Sequence, residues 1–133
     1  MKFGILGTGM VGRTIARKLA TVGHDVTMGT RDPAATRGRS EKGAWGAPSF
    51  ADWHAANPDI HLATFADAAA GAEVLVNASS GGASLAVLEA AGAANLAGKV
   101  VLDIANPLDF SAGFPPSLSV SNTDSLGEQL QRA

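Results

Sequence analysis

A doubly wound α/β domain, with a parallel sheet and helices on both faces, is what this sequence predicts, and three features carry the prediction. Apolar runs of strand length alternate with segments of helical period from Lys2 to Ile104. The first run leads into a glycine turn, Gly7-Thr8-Gly9-Met10-Val11-Gly12. A second apolar run closes a unit of about thirty residues, the length a right-handed parallel crossover needs. Strand, glycine turn, helix and strand in that order make the Rossmann-type arrangement, in which ligands lie beyond the carboxyl ends of the strands.

The first strand is Lys2-Phe3-Gly4-Ile5-Leu6. The helix after the turn is predicted to carry Val11, Ile15, Leu19 and Val22 on one face, and Gly23 separates it from the strand Asp25-Val26-Thr27-Met28-Gly29. Each glycine of the turn has its own task. Gly7 permits the tight bend, Gly9 lets the backbone approach a pyrophosphate, and Gly12 lets the helix pack close to the strand. Free amides at the helix start then face the anion, and the helix dipole favours negative charge there. In a chain with 16 glycines the spacing alone is weak, and a merely structural turn is the alternative. The flanking strands and helix give the motif its weight.

The end of the second strand selects the nucleotide. A site for NAD usually places Asp or Glu here for the ribose hydroxyls, whereas this chain reads Gly29-Thr30-Arg31, with Arg37, Arg39 and Lys42 following. Arg31 offers a planar, permanently charged fork to a 2′-phosphate, and the Thr30 hydroxyl offers a further hydrogen bond. Arg37 joins the candidate phosphate site, although Arg37, Arg39 and Lys42 taken singly read as a solvated basic loop. Asp32 followed by Pro33 reads as a helix cap and first-turn pair, not as a ribose ligand.

From Asp32 to Pro48 charged residues and glycines without an apolar period predict a mobile loop with one helical turn, ordered by bound nucleotide. Trp45 is expected to pack against the protein instead of stacking on adenine. Ser49-Phe50-Ala51-Asp52 resembles a capping box before Trp53 to Asn57, and Asn57-Pro58 ends that helix. Asp59-Ile60-His61-Leu62-Ala63 is the third strand. Thr64-Phe65-Ala66-Asp67 opens a short helix ending at Gly71. Glu73-Val74-Leu75-Val76-Asn77-Ala78 is a strand of the kind buried on both faces, followed by Ser79-Ser80-Gly81-Gly82 and a helix through Leu85, Leu88 and Glu89. The strand Lys99 to Ile104 ends at Ala105-Asn106-Pro107. Three loops therefore line one edge: Gly7 to Gly12, Asn77 to Gly82, and Ala105 to Leu108. Asp109 to Ser121 reads as a loop, and Asn122 to Arg132 as a helix with Leu126 and Leu130 one turn apart. No strand follows, so the doubly wound pattern reads as C-terminally incomplete, with an open sheet edge that should seek another copy of the chain.

At 133 residues the chain is read as one NAD(P)-binding domain, residues 1–133. A net charge of −2 gives no reason to expect nucleic acid or an anionic membrane as partner. Cysteine is absent, which excludes disulfides, thiolate catalysis and cysteine-ligated metals. No apolar run approaches the length of a membrane span, and Met1-Lys2 leads straight into the first strand without a signal peptide. A cytoplasmic protein with a small-molecule partner is expected, as a homo-oligomer. His24, His54 and His61 form no constellation with a carboxylate or metal partner, and neither paired carboxylates nor a nucleophilic serine elbow are present. No catalytic side chain and no metal ligand is assigned.

Together, Phe3 to Gly12, Gly23-His24-Asp25-Val26, Gly29-Thr30-Arg31-Asp32 and Leu96 to Leu108, which includes Asp103-Ile104-Ala105-Asn106-Pro107, resemble the NADP oxidoreductases dependent on the deazaflavin coenzyme F420. The first motif is shared with pyrroline-carboxylate and hydroxyacid reductases. The Gly-Thr-Arg and Asp-Ile-Ala-Asn-Pro stretches narrow the assignment. The resemblance implies that Thr8, Gly9, Met10 and Val11 hold the pyrophosphate, Thr30 and Arg31 the 2′-phosphate, and the Ala78-Ser79 and Asn106-Pro107 loops the nicotinamide end. It also implies direct hydride transfer between NADP(H) and F420, which asks the protein mainly for positioning. Members usually continue for some tens of residues past the equivalent of Arg132. A non-catalytic NADP-binding module and a reductase of a small imine or carbonyl compound are the alternatives.

Overall fold

In the computed structural model, which describes residues 1–133, the five long apolar runs form one parallel sheet. β1 (Lys2–Leu6) is central, flanked by β2 (Asp25–Thr30) and then β3 (Ile60–Thr64) on one side, and by β4 (Val74–Asn77) and then β5 (Val100–Asp103) on the other. Growth of the sheet reverses between β1 and β4, which opens a crevice at their carboxyl ends, the switch point where a doubly wound sheet takes its ligand. The register levels that edge. Leu6 pairs with Gly29 on one side and with Asn77 on the other, and Asn77 pairs with Asp103.

Helices cover both faces because side chains along a strand alternate. Ile5 of β1 enters a core with Val26, Met28, Ile60 and Val76, closed by Ala16 of α1 (Met10–Thr21) and by Phe50 and Trp53 of α3 (Phe50–Ala55). The next residue, Leu6, enters the opposite core with Leu75, Ala69 and Ala72 beside α4 (Phe65–Gly71), and Val87, Leu88 and Ala91 of α5 (Ser84–Ala91). α2 (Pro33–Arg37) is the single helical turn expected after β2. Asp32 caps it by accepting the Ala35 amide at 3.1 Å. The capping box of α3 also forms: Ser49 Oγ accepts the Asp52 amide at 3.1 Å and donates to the Asp52 carboxylate at 2.9 Å.

Several expectations are corrected. The sheet-facing stripe of α1 is Gly12, Ile15, Ala16 and Leu19, while Val11 and Val22 are 56% and 55% exposed. At 100° per residue, Val11 falls on the flank of that stripe, and Val22 lies past the last turn. Trp45 does not pack: it is 98% exposed, at φ +52° on the tip of a turn closed by the Gly43 amide on the Ala47 carbonyl. A side chain at such a tip has no surface to cover, and the packed tryptophan is Trp53. The stretch after Pro107 is not wholly loop, because β6 (Leu108–Asp109) and β7 (Ser117–Leu118) pair antiparallel. Strands of two residues are too short to leave a period in the sequence.

A short helix, α6 (Ala93–Leu96), precedes β5. The last helix, α7 (Leu126–Arg132), begins four residues later than expected, because Ser125 caps it and Asp124 turns back to bind Arg132 and Gln129. β5 is an edge strand with Val100 and Leu102 more than 40% exposed. No helix is long and apolar enough to cross a membrane.

Candidate functional site

The glycine turn has opposite requirements at neighbouring positions. Gly7 has φ +121°, and a Cβ there would lie 2.7 Å from the Ala78 carbonyl oxygen, so this bend is wedged against the loop after β4. A Cβ on Gly12 would lie 2.6 Å from the Gly7 carbonyl oxygen, which explains how the first turn of α1 sits so close to the strand end. At Gly9 a Cβ would meet nothing within 4 Å. The chain therefore leaves open space at the start of a 12-residue helix. Gly9 makes no side-chain cap, and α1 has no acid in its first turn, whereas Asp32, Ser49 and Thr64 cap α2, α3 and α4. The first amides of α1 keep their capacity for an anion. Met10 and Val11 stand exposed beside them.

At the end of β2 the structure separates the residues that the sequence grouped. Thr30 is buried, and its hydroxyl lies 2.7 Å from that of Thr36, so the side chain is directed into the fold and not toward an external phosphate. Arg31 and Arg37 are exposed and form no ion pair, since the two ion pairs of the molecule are His61–Asp25 and Arg132–Asp124. Lys42 is likewise exposed. Arg39 is no freely solvated side chain. Its Nη2 donates to Thr8 Oγ1 at 2.8 Å and its guanidinium lies 5.5 Å from the centre of the Phe50 ring. Arg13, one turn into α1, donates from Nη1 to the Pro48 carbonyl at 2.9 Å and has a buried Nε without a partner. Burial, and then the neighbouring Arg39 charge, push the Arg13 guanidinium below its ordinary pKa.

The loops assigned to the nicotinamide end do meet. Gly7 packs on Ala78, and Gly81 packs so tightly on the backbone of Asn106 and Pro107 that no side chain fits between them. Beneath them is a polar frame the sequence reading missed. Asn77 is fully buried; its amide nitrogen donates to Ser84 Oγ at 3.1 Å and to Asp103 Oδ1 at 2.9 Å. Its carbonyl oxygen accepts the Ser79 hydroxyl at 2.6 Å. Asp103 Oδ1 accepts the Ala105 amide at 3.2 Å, so one side chain ties the loop after β4 to the loop after β5. The signal was available: Asn77 and Asp103 each end an apolar strand, where an unpaired polar side chain would be costly. Pro107 is held in turn by the amide and hydroxyl of Ser119 on its carbonyl.

The histidines lie away from this frame. His24 meets the N-terminal amine and the edge of Phe3, while His54 contacts the Ile60 carbonyl and stacks on Phe50. His61 does have a carboxylate neighbour, Asp25 at 3.9 Å on the adjacent strand, contrary to expectation. A cavity of about 750 Å³ lies between α5, β5 and α7 and reaches the candidate site only at Asp103.

The family described as NADP oxidoreductase, coenzyme F420-dependent, matches residues 2–107. A protein from Arthrobacter sp. FB24, provisionally described as an F420-dependent NADP-reductase, is 61% identical over 99% of this chain, with a TM-score of 0.92. The match covers 57% of that protein, so this chain spans little more than half its length. An imine reductase from Streptomyces aurantiacus is 21% identical over 80% of this chain and 32% of its own, with a TM-score of 0.57. Pyrroline carboxylate reductase from Plasmodium falciparum, with NADP bound, is 14% identical over 89% of this chain and 40% of its own, with a TM-score of 0.55. These two share the fold. No curated protein matches the sequence.

Proposed function

The chain belongs to the coenzyme F420-dependent NADP oxidoreductase family, and from that premise we propose that it binds NADP(H) across the carboxyl edge of its sheet and presents the nicotinamide for hydride exchange with F420. The observation that carries this reading is the open space at Gly9 before a helix without a side-chain cap, at the same carboxyl edge of the sheet where β2 ends in Thr30 and the exposed Arg31 follows. In it, Gly7, Thr8, Gly9, Met10, Val11 and Gly12 surround the pyrophosphate, with the free amides at the start of α1 as the donors and the Gly7 amide engaged by the Gly29 carbonyl. Arg31 and Arg37 face the 2′-phosphate. Thr30 contributes by fixing the strand end through Thr36, since its hydroxyl is already engaged. Ala78, Ser79, Asn106 and Pro107 border the nicotinamide.

Bound NADPH supplies a hydride with its electron pair, and the acceptor ring takes it up with a proton from solvent. The chain's own share is orientation. A reacting pair must sit at about 3 to 3.5 Å, and a loop free to drift by an ångström would lose much of that population. The Asn77–Asp103 frame and the Gly81 contact hold two border loops to one another for that purpose. No side chain need gain or lose a proton.

Arg31→Ala is expected to weaken NADPH about ten- to a hundredfold, the worth of one charge-assisted hydrogen bond, and to change NADH by less than about threefold. Paired calorimetric titrations of the two nucleotides check this. For the acceptor, NADPH oxidation is followed with F420, a cyclic imine and a dicarbonyl compound in turn. F420 should be reduced fastest. Turnover of the imine with none of F420 would replace this reading with that of an imine reductase.

A further inference from the structure

Two guanidinium groups and a helix N-terminus converge beside the glycine turn without any carboxylate among them. Arg39 reaches Thr8, and Arg13, one turn into α1, reaches the Pro48 carbonyl, its pKa lowered first by burial and then by the Arg39 charge. Neither appears in the ion pairs of the molecule, and the Arg13 Nε has no hydrogen-bond partner at all. Like charges beside the positive end of α1 oppose one another, an arrangement that costs stability until an anion enters it. The place of this cluster is defined as well. The Gly7 amide donates to the Gly29 carbonyl at 3.2 Å, so Thr8 starts next to the end of β2, where a dinucleotide carries its ribose 2′ position.

We propose that Arg39 is a second selectivity residue for the 2′-phosphate, a clasp that exchanges the Thr8 hydroxyl for phosphate oxygens, with Arg13 as the positioning residue behind it. The inference rests on the NADP(H) reading and goes further in naming which cations read the phosphate. The clasp is built on a held backbone. The Arg39 amide donates to Thr36 at 3.1 Å, its carbonyl accepts the Ala51 amide at 3.1 Å, and its guanidinium lies over Phe50, itself fully packed in the core. The side chain can swing from one oxygen to another while its base stays fixed. Arg13, which grips Pro48, pins the far end of the segment and adds positive charge that drives Arg39 toward an incoming dianion. A planar fork at this place suits two phosphate oxygens, as an ammonium does not.

The test uses two probes that lack nicotinamide, adenosine 2′,5′-bisphosphate and adenosine 5′-monophosphate, together with NADPH and NADH, on the whole chain. Arg39→Gln should weaken the bisphosphate and NADPH about ten- to a hundredfold and leave the monophosphate and NADH within about threefold. Arg39→Lys, with the charge but not the fork, should recover only part of the loss. Arg13→Gln should weaken the bisphosphate when Arg39 is present and add little when it is not, a non-additivity that a merely structural arginine would not show. Circular dichroism of each variant, set beside that of the unmutated chain, separates a loss of binding from a loss of fold. If Arg39→Gln leaves the bisphosphate-to-monophosphate ratio unchanged while Arg31→Ala lowers it, the clasp is wrong and the NADP(H) reading stands. If the unmutated chain binds neither NADPH nor the bisphosphate, both are wrong. Additive losses from Arg13→Gln and Arg39→Gln would remove Arg13 from the proposal.

Discussion

Gly9→Val is expected to abolish nucleotide binding in a chain that remains folded. Gly9 has φ −73° and ψ −176°, a conformation open to any residue, and its Cβ position touches nothing within 4 Å. The fold therefore has no objection to a side chain. The ligand does, because two methyl groups would occupy the space in which a pyrophosphate must approach the first amides of α1. Losing the direct contact of even two charge-assisted amide bonds amounts to a factor of at least about a hundred in affinity. Binding titrations set beside thermal melts separate the two effects. Gly7 and Gly12 would not make this separation, since side chains there collide with backbone and would disturb the fold itself.

Asn77→Leu should produce the largest loss of stability among the changes considered, together with a loss of order at the nicotinamide end. Leucine has a similar volume, so the damage comes from hydrogen bonding. Ser84, fully buried, loses its amide donor, Ser79 loses the acceptor of its hydroxyl, and Asp103 loses its link to β4. Ser84 keeps its bonds to the Ser80 carbonyl and the Ser79 hydroxyl, so the cost is that of three lost side-chain hydrogen bonds at about 1 kcal/mol each, roughly 3 kcal/mol in total. For a domain of this size that lowers the melting temperature by about 10 °C. NADPH affinity should fall by less than about tenfold, because the pyrophosphate and 2′-phosphate contacts are elsewhere, while the rate of hydride transfer falls more steeply. A melting temperature within a degree or two of the unmutated chain would show that the frame is not what joins the two loops.

These two sites differ in how far the sequence revealed them. Local signals were legible because each element declares itself within a few residues: the glycine turn between two strands, the Ser49 capping box, Asp32 before Pro33, and the five apolar runs whose alternation implied the sheet. Arg39 and the Asn77 frame were not. Arg39 meets Thr8 across 31 positions and Asn77 meets Asp103 across 26, and such partners emerge only when the strand order and register are known. Thr30 shows the same limit in reverse. Its position at the strand end was right, but whether its hydroxyl points outward depends on Thr36 arriving on the following turn. Trp45 was misplaced because aromatic residues are usually covered, while the tight turn around it offers nothing to cover it.

The most direct measurement is a calorimetric titration of the purified chain with NADPH and, separately, with NADH in the same low-salt buffer. Binding of one NADPH per chain, at least about tenfold tighter than NADH and weakening as salt is added, is the predicted result. Equal affinity for the two nucleotides, or no heat from either, would contradict a phosphate-selective nucleotide site at this edge of the sheet.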